Sequence, residues 1–289
     1  MKNPLSGSYS ESENLQLVTQ SLEGDSKALN SLIKLHQPFI YNVAWKMTNQ
    51  ADDAMDLTQE VLIKVITKLS SFKRKSAFRT WLYRIVVNEF LQAKRKPKED
   101  QFEDFNDFDN KLNSIPDAEL TPQQELEYQD FTREAKIRCM SGMLMCLTRE
   151  QRLLYILGDV FDIDHNVGAE IFNVSPQNFR VKLSRARTEL HNFMEYRCGL
   201  VNKANPCRCS KKAKTLKDKG MLTEDTFLFK EPYTKRISSY VETIYEEASA
   251  TLDQKYVSFY RDHPTKEDFG SETVISEILN DKDMMRLFG

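Results

Sequence analysis

The sequence is poor in the residues that interrupt helices. Only 9 glycines and 9 prolines occur among 289 residues, a composition that favours long helices over turn-rich sheets. No apolar run approaches the roughly 20 residues that a membrane-spanning helix requires. The N-terminal stretch MKNPLSGSYSESEN also lacks the apolar core of a signal peptide. We therefore expect an all-α protein that does not insert into a membrane.

Cysteine and the usual catalytic motifs are scarce as well. The five cysteines are an odd number, which indicates reduced thiols and a cytoplasmic location in a chain without an export signal. The sequence contains no glycine-rich phosphate loop and no nucleophile elbow, and its four histidines are scattered. We expect neither an enzyme nor a cofactor.

Charge is segregated along the chain, although the formal net charge is only -2. Composition and helical periodicity predict two small helical domains joined by a flexible acidic linker that is mostly extended up to Thr121, where a helix begins at Pro122. The predicted divisions are a disordered N-terminus at 1–13, a helical domain at 14–98, the linker at 99–130, a second helical domain at 131–196, and a basic, cysteine-containing segment with a mostly helical extension at 197–289.

The stretch SAFRTWLYRIVVNEFLQAKRK, residues 76–96, is both basic and apolar. Five apolar residues share one helical face, which we expect to lie towards the core. They are Phe78, Leu82, Ile85, Val86 and Ala93. Further apolar residues fall on the opposite side, beside basic ones: Tyr83, Val87 and Leu91. Cations with interleaved aromatic rings suit the phosphates and unstacked bases of single-stranded nucleic acid. The alternative, that the second group packs on another helix and the cations form a solvated face, stays open.

A second basic helix is predicted at residues 176–194, within DHNVGAEIFNVSPQNFRVKLSRARTELHNFM. A tight turn at Asn173, Ser175 as cap and Pro176 at the first helical position predict a helix-turn-helix. Polar residues near the start of such a helix are positioned to contact base edges. The cations that follow them are positioned to bind phosphates. The alternative is a plain helical hairpin with a basic surface.

The stretch DDAMDLTQEVLIKV carries an acidic and polar face away from its apolar stripe. Its members are Asp52, Asp56, Gln59, Glu60 and Ile63. This face indicates either a partner surface or an ordinary solvated one.

Together these residues resemble the bacterial RNA polymerase sigma factors of the sigma-70 family, in the extracytoplasmic-function subfamily with only regions 2 and 4. The stretch from DDAMDLTQEV to FLQAKRK is similar to region 2, and LTREQRLLYIL with VSPQNFRVKLSRARTEL is similar to region 4. Four features depart from the usual pattern. Glu89 is the only acid in residues 72–98, and Gln92 replaces a commonly acidic residue. Val167-Gly168-Ala169 stands in the first helix of the helix-turn-helix, where Gly168 weakens the helix, and Asn173 stands where glycine is usual.

The resemblance implies a transcription initiation factor that binds core polymerase, recognises −35 and −10 promoter elements and helps to melt the −10 region. It assigns −10 binding and melting to Phe72, Lys73, Arg74, Lys75, Ser76, Ala77, Thr80, Trp81, Tyr83, Arg84, Asn88, Lys94 and Arg95. It assigns −35 recognition to Ser175, Gln177, Asn178, Arg180, Lys182, Arg185 and Arg187. The face with Asp52, Asp56, Gln59, Glu60 and Ile63 is expected to contact core polymerase.

The implied partners are core RNA polymerase, through its β′ clamp helices and β flap, and promoter DNA, which implies association with the nucleoid. An anti-sigma factor, or self-regulation by residues 197–289, stays open as a further partner. Two other functions also remain: a helix-turn-helix regulator with an N-terminal sensing domain, and an adaptor that uses its helices only for protein contacts.

Three of the cysteines, Cys198, Cys207 and Cys209, cluster near His191. Zinc binding, a redox role and a purely structural role are all open, and we commit to no metal. The surrounding lysines either extend the DNA contact or solvate a loop. Two further helices are predicted at about 232–262 and 272–287.

Overall fold

The computed structural model describes residues 4–5, 9–93 and 104–227. All regular secondary structure in these residues is helical, which confirms the predicted all-α class. None of the described helices is long and apolar enough to cross a membrane. The two helices predicted after residue 230 lie outside the described residues.

The helices are α1 Glu11–Leu22, α2 Ser26–Thr48, α3 Ala51–Thr67, α4 Phe78–Gln92, α5 Phe105–Asn113, α6 Pro122–Glu127, α7 Gln129–Met145, α8 Arg149–Tyr155, α9 His165–Phe172, α10 Pro176–Arg197 and α11 Cys209–Asp218. A π-helical turn, Ile156–Val160, extends α8.

The described chain packs as two compact units. The first combines residues 4–5, 9–93 and 149–184, and the second combines residues 104–148 and 185–227. In the first unit α2 packs against α1 and α3, while α4 lies against α3 and α9. Every one of these helices therefore shares a buried face with at least one neighbour.

The second unit is centred on α7 and α11, which pack against each other. Their core contains Phe131, Ala135, Ala213 and Leu222. The α5 helix joins the end of α10, where the ring of Phe193 lies 4.9 Å from that of Phe105.

The acidic stretch before Thr121 is more ordered than the sequence predicts. The sequence predicts a mostly extended stretch, but the structure contains α5 there. The Asp104 side chain caps the first turn of α5 by accepting from two backbone amides at 2.8 Å. Burial of Phe108 explains why this short acidic helix forms. The predicted start of the next helix is confirmed, because Thr121 and Gln124 form a capping box ahead of Pro122.

Candidate nucleic-acid interface

The loop before α4 exposes cations while its first residue is anchored in the core. Phe72 is buried, and its ring lies 5.3 Å from that of Phe78 and 5.4 Å from that of Trp81. Arg74 takes a left-handed φ of 54° and donates from Nη2 to Thr19 Oγ1 at 2.8 Å. The three exposed cations of the loop are Lys73, Arg74 and Lys75. The half-buried Ser76 and Ala77 lead into the helix.

The far side of α4 is not a free surface. Tyr83 is 1% exposed and Val87 is 2% exposed, so the expectation that Tyr83 lies on a DNA-facing surface is wrong in this conformation. The reason is that α4 is packed by α3 on one side and by α9 and α1 on others. Tyr83 and Val87 therefore pack against other helices, which is the alternative interpretation of the sequence. Leu91 remains exposed.

A buried hydrogen-bonded chain explains how Tyr83 is accommodated. Asn14 Oδ1 lies 2.8 Å from His36 Nε2, and Tyr83 Oη lies 3.2 Å from His36 Nδ1. Asn14 Oδ1 can only accept, so His36 carries its proton on Nε2 and accepts from the Tyr83 hydroxyl on Nδ1. Burial lowers the pKa of His36 to about 4, which keeps the ring neutral at pH 7.

The outer side of α4 is engaged by α9. Thr80, which is 1% exposed, donates from Oγ1 to Glu170 Oε2 at 2.9 Å. Arg84 is half-buried and donates from Nε to the Glu170 carbonyl oxygen at 2.6 Å. Trp81 is half-buried and Asn88 is exposed. Two of the predicted melting residues thus hold an acidic residue of the same chain.

Glu89 has a partner that the local sequence does not reveal. Its carboxylate accepts a hydrogen bond from Lys64 Nζ, on the neighbouring α3, in an ion pair whose Glu89 side chain is 13% exposed. The acid therefore lies at the seam between two helices, where it balances an exposed cation.

The acidic face of α3 is accessible. Three of its residues are exposed and two are half-buried. The exposed ones are Asp52, Asp56 and Glu60, and the half-buried ones are Gln59 and Ile63. The opposite face contains Leu57, Val61 and Leu62, which are buried, so α3 can offer its polar side to a partner without losing core contacts.

The start of α10 has the geometry that the helix-turn-helix pattern predicts. Asn173 is left-handed, with φ 53° and ψ 47°, and ends α9. Ser175 Oγ accepts from the Asn178 amide at 3.1 Å and caps α10. The inward side of α10 is a buried stripe at helical spacing, formed by Phe179, Leu183, Ala186 and Leu190.

Polar side chains surround the outer face of α10. The exposed members of the predicted set are Ser175, Gln177, Asn178, Arg180 and Arg185, and the half-buried ones are Lys182 and Arg187. Arg180 Nη2 donates to Gln177 Oε1 at 3.1 Å, and Lys182 forms an ion pair with Glu150 at 2.5 Å. This face presents amide and guanidinium groups, which are the donors and acceptors that read base edges.

Two glycines bring α10 close to its neighbours. A Cβ at Gly168 would lie 2.4 Å from Phe179 Cζ, and one at Gly158 would lie 2.6 Å from Leu183 Cδ2. Gly168, which departs from the family pattern, is therefore the residue that gives the Phe179 ring its place against α9. The cost to helix propensity is offset by a close helix contact.

Several contacts between distant segments have no counterpart in the sequence patterns. Arg152 Nη1 donates to the Met47 carbonyl at 2.6 Å, and Arg149 Nη1 donates to the Ala93 carbonyl. Glu170, which accepts from Thr80, also has no role assigned from the sequence. No local signal identifies these partners, because each lies more than fifty residues away in the sequence. Lys94 and Arg95, predicted to follow α4 as DNA-binding residues, lie outside the described residues.

The cysteine cluster lies in the second unit. Cys139, Cys198 and Cys209 line a small apolar recess together with three methionines, and Cys207 is half-buried. Burial raises the pKa of Cys209 to about 12 and also raises that of Cys207, which keeps both thiols protonated at neutral pH. In the part of the chain that the structure describes, no three or more His, Cys, Asp or Glu side chains are arranged to hold a metal ion. The raised pKa values favour a structural role over a reactive thiol.

The basic segment after residue 197 packs on the acidic one. Lys212 Nζ lies 3.2 Å from Asp117 and donates to the Ile115 carbonyl, while Thr215 Oγ1 donates to the Pro116 carbonyl at 2.8 Å. The α11 helix therefore contributes to the core of the second unit and also fixes the chain ahead of α6.

Comparison with known proteins points to one family. The sigma-70 region 2 profile matches residues 32–99. A probable RNA polymerase sigma factor of Haemophilus influenzae is 30% identical over 157 residues, which cover 50% of this chain and 79% of the relative. The ECF RNA polymerase sigma-E factor of Escherichia coli is 27% identical over 184 residues, covering 62% of this chain and 93% of the relative. The RNA polymerase sigma factor YlaC of Bacillus subtilis is 26% identical over 167 residues, covering 58% of this chain and 92% of the relative.

Proposed function

This chain belongs to the extracytoplasmic-function sigma factors of the sigma-70 family, and we propose that it binds core RNA polymerase and directs it to promoters whose −35 and −10 elements it contacts. The observation that carries this proposal is the exposed polar face at the start of α10, held in place by a buried stripe. We propose a non-catalytic role, in which binding positions the polymerase on DNA.

For the −35 element we propose that the first turns of α10 enter the major groove. Gln177, Asn178 and Arg180 would meet base edges, and Arg185 and Arg187 would hold phosphates. The exposure of the first three side chains and the Ser175 cap support this assignment. The half-buried Lys182 would move from Glu150 to a phosphate.

For the −10 element we propose that the loop and α4 bind the opened strand. The exposed cations Lys73, Arg74 and Lys75 and the exposed Asn88 support this assignment. The rings of Phe72 and Trp81, 5.4 Å apart, would support the loop that receives an unstacked base. We leave Tyr83 out of the contact set because it is buried.

For core polymerase we propose the acidic face of α3, with Asp52, Asp56 and Glu60 exposed. Charge reversal at Glu60 is expected to weaken capture of the purified chain by core polymerase about tenfold, which corresponds to about 1.4 kcal/mol for the loss of one exposed interface charge. The matched control is Glu23→Lys, at the exposed residue that follows α1.

The decisive experiment is reconstituted transcription. The full chain is added to sigma-free core polymerase on sheared genomic DNA of the source organism, and transcript 5′ ends are sequenced. Discrete starts that share upstream sequence elements are the expected result. DNA binding without polymerase and without new starts would instead identify a conventional regulator, and no DNA binding in either condition would identify an adaptor.

Substitutions in α10 test which of its side chains contact the promoter. Arg180→Ala and Asn178→Ala are expected to reduce transcription from the shared starts about tenfold each, because a base-edge contact contributes about 1–3 kcal/mol. Thr188→Ala, at an exposed position of the same helix, is expected to leave the starts unchanged. Equal losses for all three would indicate a folding defect and contradict the assigned contacts.

A further inference from the structure

We infer that α1 supports the loop at residues 72–77, and that Glu11 and Thr19 are positioning residues for recognition of the −10 element. The inference rests on the proposed function of this loop and names residues that set its specificity. The α1 helix packs against α4 and against the turn Leu69–Ser71 that leads into the loop. Both side chains act through the backbone of the loop, which they hold in one conformation.

Glu11 caps α4 from a different helix. The first amides of a helix have no partner within it and favour a negative charge nearby. Ala77 stands at the cap position of α4, and its methyl side chain offers no acceptor. The Glu11 carboxylate, in the first turn of α1, instead accepts from the Phe78 amide at 2.6 Å. The end of the loop and the start of α4 are therefore fixed by a residue 67 positions earlier in the sequence.

Thr19 fixes the middle of the loop. Its hydroxyl donates to the Leu15 carbonyl at 2.8 Å, which leaves the lone pairs of the oxygen to accept from Arg74 Nη2 at 2.8 Å. Arg74 has a left-handed φ of 54°, a conformation that is uncommon outside glycine and that persists where neighbouring contacts support it. The hydrogen bond to Thr19 supplies such a contact.

The ends of the loop are anchored by aromatic rings. Phe72 and Phe78 are buried, and their rings lie 5.3 Å apart. In the first turn of α4, the Arg79 guanidinium lies 5.1 Å from the centre of the Tyr9 ring, ahead of α1. The cations of the loop stay exposed between these anchors. The loop therefore presents its charges from a backbone that is held at both ends and in the middle.

A loop held in this way is suited to selecting a base. Ordering a flexible loop on binding costs free energy, and a loop that is already in its binding conformation avoids that cost. A fixed backbone also rejects a base that does not fit, whereas a flexible one can adjust to it. Loss of either contact to α1 is therefore expected to weaken discrimination among −10 bases without changing recognition of the −35 element.

The test is transcription by core polymerase with the full chain on two promoter libraries, built from the strongest start that the unaltered chain uses. One library randomises the −10 element and the other the −35 element, and a transcribed barcode identifies each template. Glu11→Ala is expected to reduce the preference for the favoured base about three- to fivefold at one or more −10 positions. Glu11→Gln keeps an acceptor for the Phe78 amide, so its expected loss is about half as large.

Matched variants separate these contacts from a general folding defect. Glu13→Ala removes the same charge from an exposed position in the first turn of α1 and is expected to match the unaltered chain. Thr19→Val removes the acceptor for Arg74 and is expected to reduce the −10 preference about twofold, whereas Thr19→Ser keeps the hydroxyl and the preference. A variant that only folds less well lowers the total transcript and leaves the relative use of templates unchanged.

Unchanged −10 preferences in both Glu11→Ala and Thr19→Val would overturn the inference while the proposed function stands. Equal losses of preference in the two libraries would also overturn it, because the effect would not be confined to the loop. Absence of promoter-specific transcripts from the unaltered chain would overturn the proposed function, and the inference with it.

Discussion

Helices α4 and α10 contain a similar mixture of basic and apolar residues, yet they are packed differently. In α4 the buried residues lie on several sides and include Thr80, Tyr83 and Val87. In α10 the buried residues follow one stripe, from Phe179 to Met194, and the polar residues of the first turns are exposed. A basic, apolar sequence therefore describes both a helix enclosed by neighbours and a helix that presents one face to solvent.

The difference arises from the number of neighbours and not from the residue types. The α4 helix has α3, α9 and α1 around it, so apolar residues on its second side also become core. The exposed side of α10 carries Gln177, Asn178 and Arg180, which have no apolar residue between them except Phe179, and Phe179 points inward. A helical wheel gives the direction of each side chain but not which directions another helix occupies.

The largest expected effect is the loss of stability when a buried ring is removed from α4 or from α10. Comparing the two losses shows whether the core holds both helices equally. Phe78→Ala in α4 and Phe179→Ala in α10 each remove a ring that is 0% exposed, so each is expected to lower the free energy of unfolding by about 3–5 kcal/mol. Chemical unfolding followed by circular dichroism measures this change. Val181→Ala, 37% exposed on α10, is the control, with an expected loss below about 0.5 kcal/mol. A loss of under about 1 kcal/mol for Phe179→Ala would mean that α10 is not held by its stripe.

A smaller effect is the loss of stability in acid that we expect from the buried His36 beside α4. The pKa of His36 is lowered from 6.5 to about 4 in the folded chain. Above pH 6.5 the ring is neutral in both states, and as the pH falls towards 4 the unfolded chain binds the proton first. The free energy of unfolding is expected to decrease by about 2 kcal/mol between pH 7 and pH 5 from this group.

The control for the acid effect is a pair of substitutions. His36→Gln is expected to flatten the pH dependence between pH 7 and 5, at some cost in stability at pH 7 because the contacts to Asn14 and Tyr83 change. His165→Gln, at an exposed histidine of α9, is expected to leave the slope unchanged. If the free energy of unfolding changed with pH equally in His36→Gln and in the unaltered protein, His36 would not be the group that acid titrates.

The smallest effect concerns the close approach of α9 and α10. Gly168→Ala should stabilise an isolated helix by about 1 kcal/mol, but its Cβ would lie 2.4 Å from Phe179 Cζ. We expect a net loss of about 1–2 kcal/mol, measured by unfolding, because the enclosed ring has little room to move. On a Phe179→Leu background the same change should cost less. A rise in stability for Gly168→Ala alone would contradict the proposed contact.

Local patterns predicted the features that depend on neighbours in sequence. The Ser175 cap, the left-handed Asn173 and the buried stripe of α10 follow from short-range rules. The α5 helix was missed because acidity suggested a linker, although Phe105, Phe108 and Leu112 have helical spacing and Asp104 is a good cap. A helix could have been predicted there from these signals.

Contacts between distant segments could not be predicted in this way. Thr80 and Glu170 are 90 residues apart, and Arg152 and Met47 are 105 apart. Their pairing depends on how helices pack, which leaves no periodic signal in either segment. The same reason applies to Glu89, because its partner Lys64 lies on α3 and leaves no signal in the sequence of α4.

The lysines of α11 differ from those near α4 in how their charge is balanced. Lys212 lies 3.2 Å from Asp117, Lys214 lies 2.7 Å from Asp218, and Lys217 lies 4.3 Å from the ring centre of Phe131. Cations that are already matched within the protein displace few condensed counterions from a polyanion. The slope of log affinity against log salt should therefore be shallower than a count of the lysines in residues 203–219 suggests, and neutralising them with glutamine should cost core stability before it changes that slope.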